Sequence, residues 1–159
     1  MPPSVRTVSF EGELLRRGFW LYAWKIVCNG RVIYYVGRTG DSSSCNAASP
    51  FNRIGNHLDP RPNAKANSLT RRLIEAGMKP EDCAFRMAAV GPLFPEQENF
   101  EDHRIVRDKM ATLEHEVAEA LRSRGLHVLG VHSHSGTVGT DLVEYVIQEL
   151  WHALANGDA

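Results

Sequence analysis

Phe19-Trp20-Leu21-Tyr22-Ala23-Trp24-Lys25-Ile26-Val27-Cys28-Asn29-Gly30-Arg31-Val32-Ile33-Tyr34-Tyr35-Val36-Gly37-Arg38 is the stretch that decides how this chain folds. Two runs rich in apolar, aromatic and β-branched residues flank Asn29-Gly30. A two-residue hairpin loop favours a type I′ turn, which needs positive φ at both central residues, and Asn-Gly tolerates it best. The reading therefore places antiparallel strands over residues 19–28 and 32–37. It brings Tyr22 and Tyr35 onto neighbouring strands, with Gly37 and Arg38 at the end of the second.

Upstream, residues 11–17 suit a short helix or turn leading into the first strand. Downstream, residues 39–44 form a polar loop. Ser49-Pro50 then reads as a helix start, serine as N-cap and proline at the first helical position. The short helix that follows carries Arg53 and His57 four residues apart, on one face. Pro60 and Pro62 interrupt it, and a second helix runs over residues 68–76 to Gly77. Residues 84–90 read as a third strand closed by Gly91-Pro92, residues 98–124 as a long helix, and residues 127–132 as a short fourth strand or extended segment. Leu142, Val146 and Leu150 form one stripe of a last helix over residues 140–155. This order predicts an α+β fold with a small, mostly antiparallel central sheet flanked by helices.

At 159 residues the chain suits a single domain, here 1–159, with a C-terminal helical segment at 139–156. Three cysteines in no paired spacing argue against a disulfide framework or a cysteine zinc site. No secretory leader and no membrane-length apolar run is legible, so the expected setting is cytoplasmic, with no membrane partner. The net charge of −1 conceals a split: residues 1–79 carry twelve Lys/Arg against five Asp/Glu, and residues 80–159 six against fourteen. The first half is thus +7 and the second −8, an asymmetry that points to a polyanion-facing surface.

The paired motifs Trp20-Leu21-Tyr22 and Tyr35-Val36-Gly37 resemble those of the GIY-YIG nuclease family, which carries two tyrosine motifs on adjacent strands. Arg38 directly after the second motif, and Arg53 with His57 one turn on, match that family's order as well. Trp20 stands where the family has glycine, and no asparagine follows the long helix, where residues 125–134 hold His132, Ser133 and His134 instead. The similarity spans residues 19–134.

The resemblance implies a DNA endonuclease with one divalent metal, Mg²⁺ or Mn²⁺, held by a glutamate of the long helix. Two candidates occur, Glu114 and Glu116. Met110, Leu113, Val117 and Leu121 mark the apolar face; Glu114 lies about 60° from Val117 and Glu116 about 100° away on the other flank. That geometry favours Glu114 as the metal ligand. Tyr22 or Tyr35 would take a proton from water, His57 would support a tyrosine or bind phosphate, and Arg53 would donate to the phosphoryl oxygens. Arg38 and Gly37 would contact substrate, and DNA would be gripped through its phosphate backbone.

Two other functions fit parts of the pattern. A non-catalytic nucleic-acid-binding or protein-interaction module retaining the fold is suggested by the altered first motif and the missing asparagine. A histidine metal site is suggested by His132 and His134, which alternation would place on one face of a strand. Trp20, Trp24, Phe94 and Trp151 read most simply as core.

Overall fold

The computed structural model describes residues 2–156. The hairpin forms as the Asn-Gly signal requires: β1, Phe19–Cys28, pairs antiparallel with β2, Arg31–Arg38, in continuous register from Leu21↔Arg38 to Cys28↔Arg31. Asn29 has φ 50° and Gly30 φ 78°, the left-handed pair of a type I′ turn. α1, Pro50–His57, begins at Ser49, whose side chain accepts the Asn52 N–H at 3.2 Å. α2, Ser68–Glu75, follows.

β3, Cys83–Phe94, pairs antiparallel with the other edge of β1. It does not stop at Gly91-Pro92 as the sequence suggested. Phe94 still pairs with Phe19, and a register shift between Phe19 and Leu21 absorbs the irregularity. α3, Phe100–Ser123, is capped by the Asn99 side chain, which accepts the Asp102 N–H. β4 is only Val128–Leu129 and runs parallel to β2 opposite Tyr34 and Tyr35. α4, Thr140–Ala155, closes the fold. Among the described residues the result is a mixed four-stranded sheet, order β3-β1-β2-β4, with four α-helices: an α+β architecture. None of these helices is long and apolar enough to cross a membrane.

Alternation along the strands sorts side chains to two faces. Phe19, Leu21 and Ala23 of β1 with Tyr34 and Val36 of β2 pack against Met110, Leu113, Val117 and Leu121 of α3 and against α4. Tyr22, Trp24, Ile26 and Cys28 with Ile33 and Tyr35 face the other way, onto Leu69 and Leu73 of α2. β1, central and covered on both sides, is consequently buried along nearly its whole length. Trp20 and Trp24 are core, whereas Phe94 and Trp151 lie partly buried at its margin.

α4 contributes Val146, Leu150 and Leu154 to the same cluster as the hairpin, so it is part of the core rather than an appendage. Leu150→Ala should therefore cost about 2–5 kcal/mol. Tyr145→Ala on the exposed face of α4 should stay within about 0.5 kcal/mol of wild type. Urea unfolding of the two variants checks this; equal effects would mean that α4 does not pack as described.

Candidate active site

Tyr22 and Tyr35 share the sheet face covered by α1 and α2, and α1 delivers His57 onto both. The His57 ring sits edge-on to each phenol, with centroids 5.7 Å from Tyr22 and 5.5 Å from Tyr35. Its Nε2 lies 2.5 Å from the Tyr22 hydroxyl and its Nδ1 2.9 Å from the Ser68 hydroxyl. Ser68 in turn lies 3.1 Å from the Tyr35 hydroxyl. The Tyr22 O–H also donates to the carbonyl oxygen of Arg38 at 3.3 Å. The Thr70 hydroxyl holds the His57 carbonyl, so the last residue of α1 is anchored through its backbone as well.

Gly37 is the cross-strand partner of Tyr22. A Cβ at position 37 would stand 2.5 Å from the Tyr22 ring and 2.6 Å from its hydroxyl, far inside contact distance. Glycine is needed there because the phenol lies across it. The residue builds the site by leaving space. Trp20 finds room against β3: a Cβ on Gly91 would meet the Trp20 ring at 2.7 Å. Trp20 is further fixed by its N–H to Thr39 Oγ1 and its indole N–H to the Arg16 carbonyl.

One residue past Gly37, alternation turns Arg38 toward α3. β4 covers only Tyr34 and Tyr35, so Arg38 is paired with β1 alone and its other edge is uncovered, and Glu114 of α3 meets Arg38 there at 2.5 Å. Both side chains are mostly buried. Glu116 is exposed on the other flank, as the helix geometry anticipated. Arg53 pairs at 3.0 Å with Asp41, a carboxylate on the loop after β2 that the sequence reading did not single out. Nothing in the motif order marks an aspartate in a serine-rich loop; only the fold carries it back to α1. Both arginines keep a buried Nε–H with no partner.

These charges act on one another. Burial pushes the Glu114 carboxyl up to about 7, against the pull of Arg38, and Asp41 adds to the rise. Burial holds His57 down at about 4, with Arg53 reinforcing it, so the imidazole is neutral at physiological pH. Burial also raises Tyr22 strongly, opposed by the Arg53 guanidinium. Tyr35 is raised by burial, with Ser68 and Arg72 pulling it down and Glu114 pushing it up. For Arg53 itself burial works against the charge, but Tyr22, Asp41 and Tyr35 together outweigh it and hold the guanidinium above its ordinary value.

His132 and His134 do not form a metal site. The strand ends at Leu129, so alternation no longer governs residues 132–134. His132 donates from Nε2 to the Val36 carbonyl at 3.1 Å and receives Arg122 at Nδ1, which uses both ring nitrogens. His134 is exposed and lies against the ring of His115. Among the described residues no cluster of three or more His, Cys, Asp or Glu is placed to hold a metal ion. Glu114 alone still suits a hard cation that keeps most of its waters and shares substrate phosphate oxygens.

No protein-family model matches the chain, and comparison with curated proteins and with solved structures gives no significant match.

The geometry has two consequences for stability. Gly37→Ala should destabilise by about 1–3 kcal/mol through overpacking against Tyr22, read from denaturant midpoints. A neutral outcome would mean that the phenol is free to move aside. For Glu114, the unfolded carboxyl ionises near 4.5 and the folded one near 7, so folding takes up a proton between those values. The stabilisation is full below the lower value and lost as pH rises through the upper one. Glu114→Gln, which cannot titrate, should therefore gain on wild type from about pH 5 to about pH 8. A gap independent of pH would rule out a neutral buried Glu114.

Proposed function

We propose that this protein is a metal-dependent endonuclease that hydrolyses DNA phosphodiester bonds at a GIY-YIG-type site. The observation that carries the reading is the convergence of Tyr22 and Tyr35 on His57 beside two arginines. Those arginines are held by carboxylates yet each retains a buried N–H without a partner. Buried donors left unsatisfied cost free energy. A phosphate bringing several acceptor oxygens is the kind of ligand that would satisfy them.

Hydrolysis needs a water stripped of a proton, charge neutralised on the phosphoryl oxygens, and support for the leaving 3′ oxygen. Arg53, on α1 one turn before His57, offers its guanidinium to the phosphoryl oxygens, where negative charge grows in the transition state. Arg38 supplies a second cation from the strand end. A tyrosine accepts the water proton, and neutral His57 is at hand to relieve it. Mg²⁺ or Mn²⁺ held by Glu114 would act as a Lewis acid toward the phosphate. Binding a cation there requires Glu114 to ionise, which burial opposes and the Arg38 guanidinium favours.

The same ion pairs are what favour the second reading, a non-catalytic nucleic-acid-binding or protein-interaction module. With Arg38 matched by Glu114 and Arg53 by Asp41, the site shows less net positive charge than the basic first half of the sequence suggests. A cleavage assay on linear, branched and nicked DNA with Mg²⁺ or Mn²⁺ separates the two, wild type against Glu114→Ala. Arg53→Ala should lower the cleavage rate by about 10²–10³ while leaving the unfolding transition close to wild type. Full activity in that variant would remove Arg53 from the reaction.

A further inference from the structure

Ser68 belongs to none of the motifs, yet its hydroxyl is the hydrogen-bonding bridge between Tyr35 and His57, whose rings also meet edge-on. It is the first residue of α2, and its hydroxyl stands 3.1 Å from the Tyr35 hydroxyl and 2.9 Å from His57 Nδ1. The chain of contacts is Tyr35, Ser68, His57, Tyr22, and then the Arg38 carbonyl at 3.3 Å from the Tyr22 hydroxyl. Each hydroxyl has one proton, neutral imidazole has one, and a carbonyl can only accept. If Tyr22 donates to the Arg38 carbonyl, His57 must donate from Nε2 to Tyr22. Nδ1 is then free to accept from Ser68, and Ser68 accepts from Tyr35. Every one of the four links is made. Reversing the direction leaves the Arg38 carbonyl without Tyr22 and the Tyr35 proton outside the chain.

We propose that Ser68 is a positioning residue that holds His57 as the Nε2–H tautomer and passes a proton from Tyr35 to His57 Nδ1. Tyr35, rather than Tyr22, is then the phenol that meets the attacking water. Accessibility agrees: Tyr22 is 0% exposed, whereas Tyr35 retains 8%. With Nε2 already protonated, Tyr22 also has no route for handing a proton to His57. The low basicity of His57 keeps Nδ1 open at rest and makes its protonation transient.

The catalytic use of this chain rests on the nuclease reading. The water oxygen forms the new bond to phosphorus as one of its O–H bonds breaks and the proton joins the Tyr35 oxygen. Tyr35 releases its own proton to Ser68, and Ser68 releases its proton to His57 Nδ1. The P–O3′ bond breaks with its electron pair on the 3′ oxygen. The proton stored on His57 returns along the chain to that oxygen or to solvent, leaving a 5′-phosphate and a 3′-hydroxyl.

The experiment is ¹⁵N NMR of the histidine side chains in the full chain without DNA, for wild type, Ser68→Ala and Ser68→Thr, with His57 assigned from His57→Gln. Wild type should show Nδ1 unprotonated and Nε2 protonated. Ser68→Ala should mix the tautomers, and Ser68→Thr, which keeps the hydroxyl, should restore the single form. A protonated Nδ1 in wild type, or an unchanged tautomer ratio in Ser68→Ala, overturns the proposal. On cleaved DNA, Ser68→Ala should lower kcat by about 10²-fold at unchanged KM, with Ser68→Thr close to wild type. Undiminished kcat in Ser68→Ala also overturns it. A tautomer that responds as expected in a protein that cleaves no DNA supports the chain and sinks the nuclease reading instead.

Discussion

Tyr22 is a phenol with no access to water, and that constraint organises its surroundings. A buried hydroxyl must find its partners within the protein, because leaving it unpaired costs about 1–3 kcal/mol. Tyr22 finds two, the His57 ring and the Arg38 carbonyl. The first brings the end of α1 down onto the sheet; the second ties the phenol to the end of β2. The ring lies over Gly37 because no other residue leaves room for it. Hairpin register, the α1 contact and the second tyrosine motif therefore depend on one another. Moving any of them strands a buried polar group.

The arginine–carboxylate pairs at the edge of this cluster are a different kind of feature. Attraction between largely buried charges is offset by the loss of hydration, so such pairs are weak sources of stability. Arg38–Glu114 shows the conflict directly, since burial favours the neutral acid even with a guanidinium beside it. The two pairs thus gain little for the fold and leave two buried N–H groups, on Arg38 and Arg53, unmatched.

Where the sequence differs from the nuclease motifs it resembles, local packing accommodates the difference. Trp20 is accommodated by Gly91 on β3 rather than by a gap in its own strand. Residues 125–134 after α3 hold no asparagine, and that region instead sends His132 back to the Val36 carbonyl. This bond satisfies a backbone acceptor of β2 just beyond the point where β4 stops pairing. Together with Arg122, it fastens the segment after β4 to the strand that bears Tyr35.

Local chemistry made much of the fold legible in the sequence. Asn29-Gly30 has few alternatives to a type I′ turn, Ser49-Pro50 marks a helix start, and the stripes on the long and last helices show which faces they bury. Helical periodicity also placed Glu114 nearer than Glu116 to the apolar stripe of α3, and the Glu114 side chain is mostly buried where Glu116 is exposed. Sequence could not show which residues from distant segments would meet. Asp41 and Ser68 are small polar residues in polar stretches, and only the return of a loop and the start of α2 to the sheet bring them to Arg53 and His57. The short β4 and the extension of β3 past Gly91 were likewise set by what stands beside each strand. Strand length depends on available partners, whereas turn chemistry depends on residues adjacent in the chain. Tertiary packing therefore decided the pairings, the buried charges and the hydrogen-bond chain.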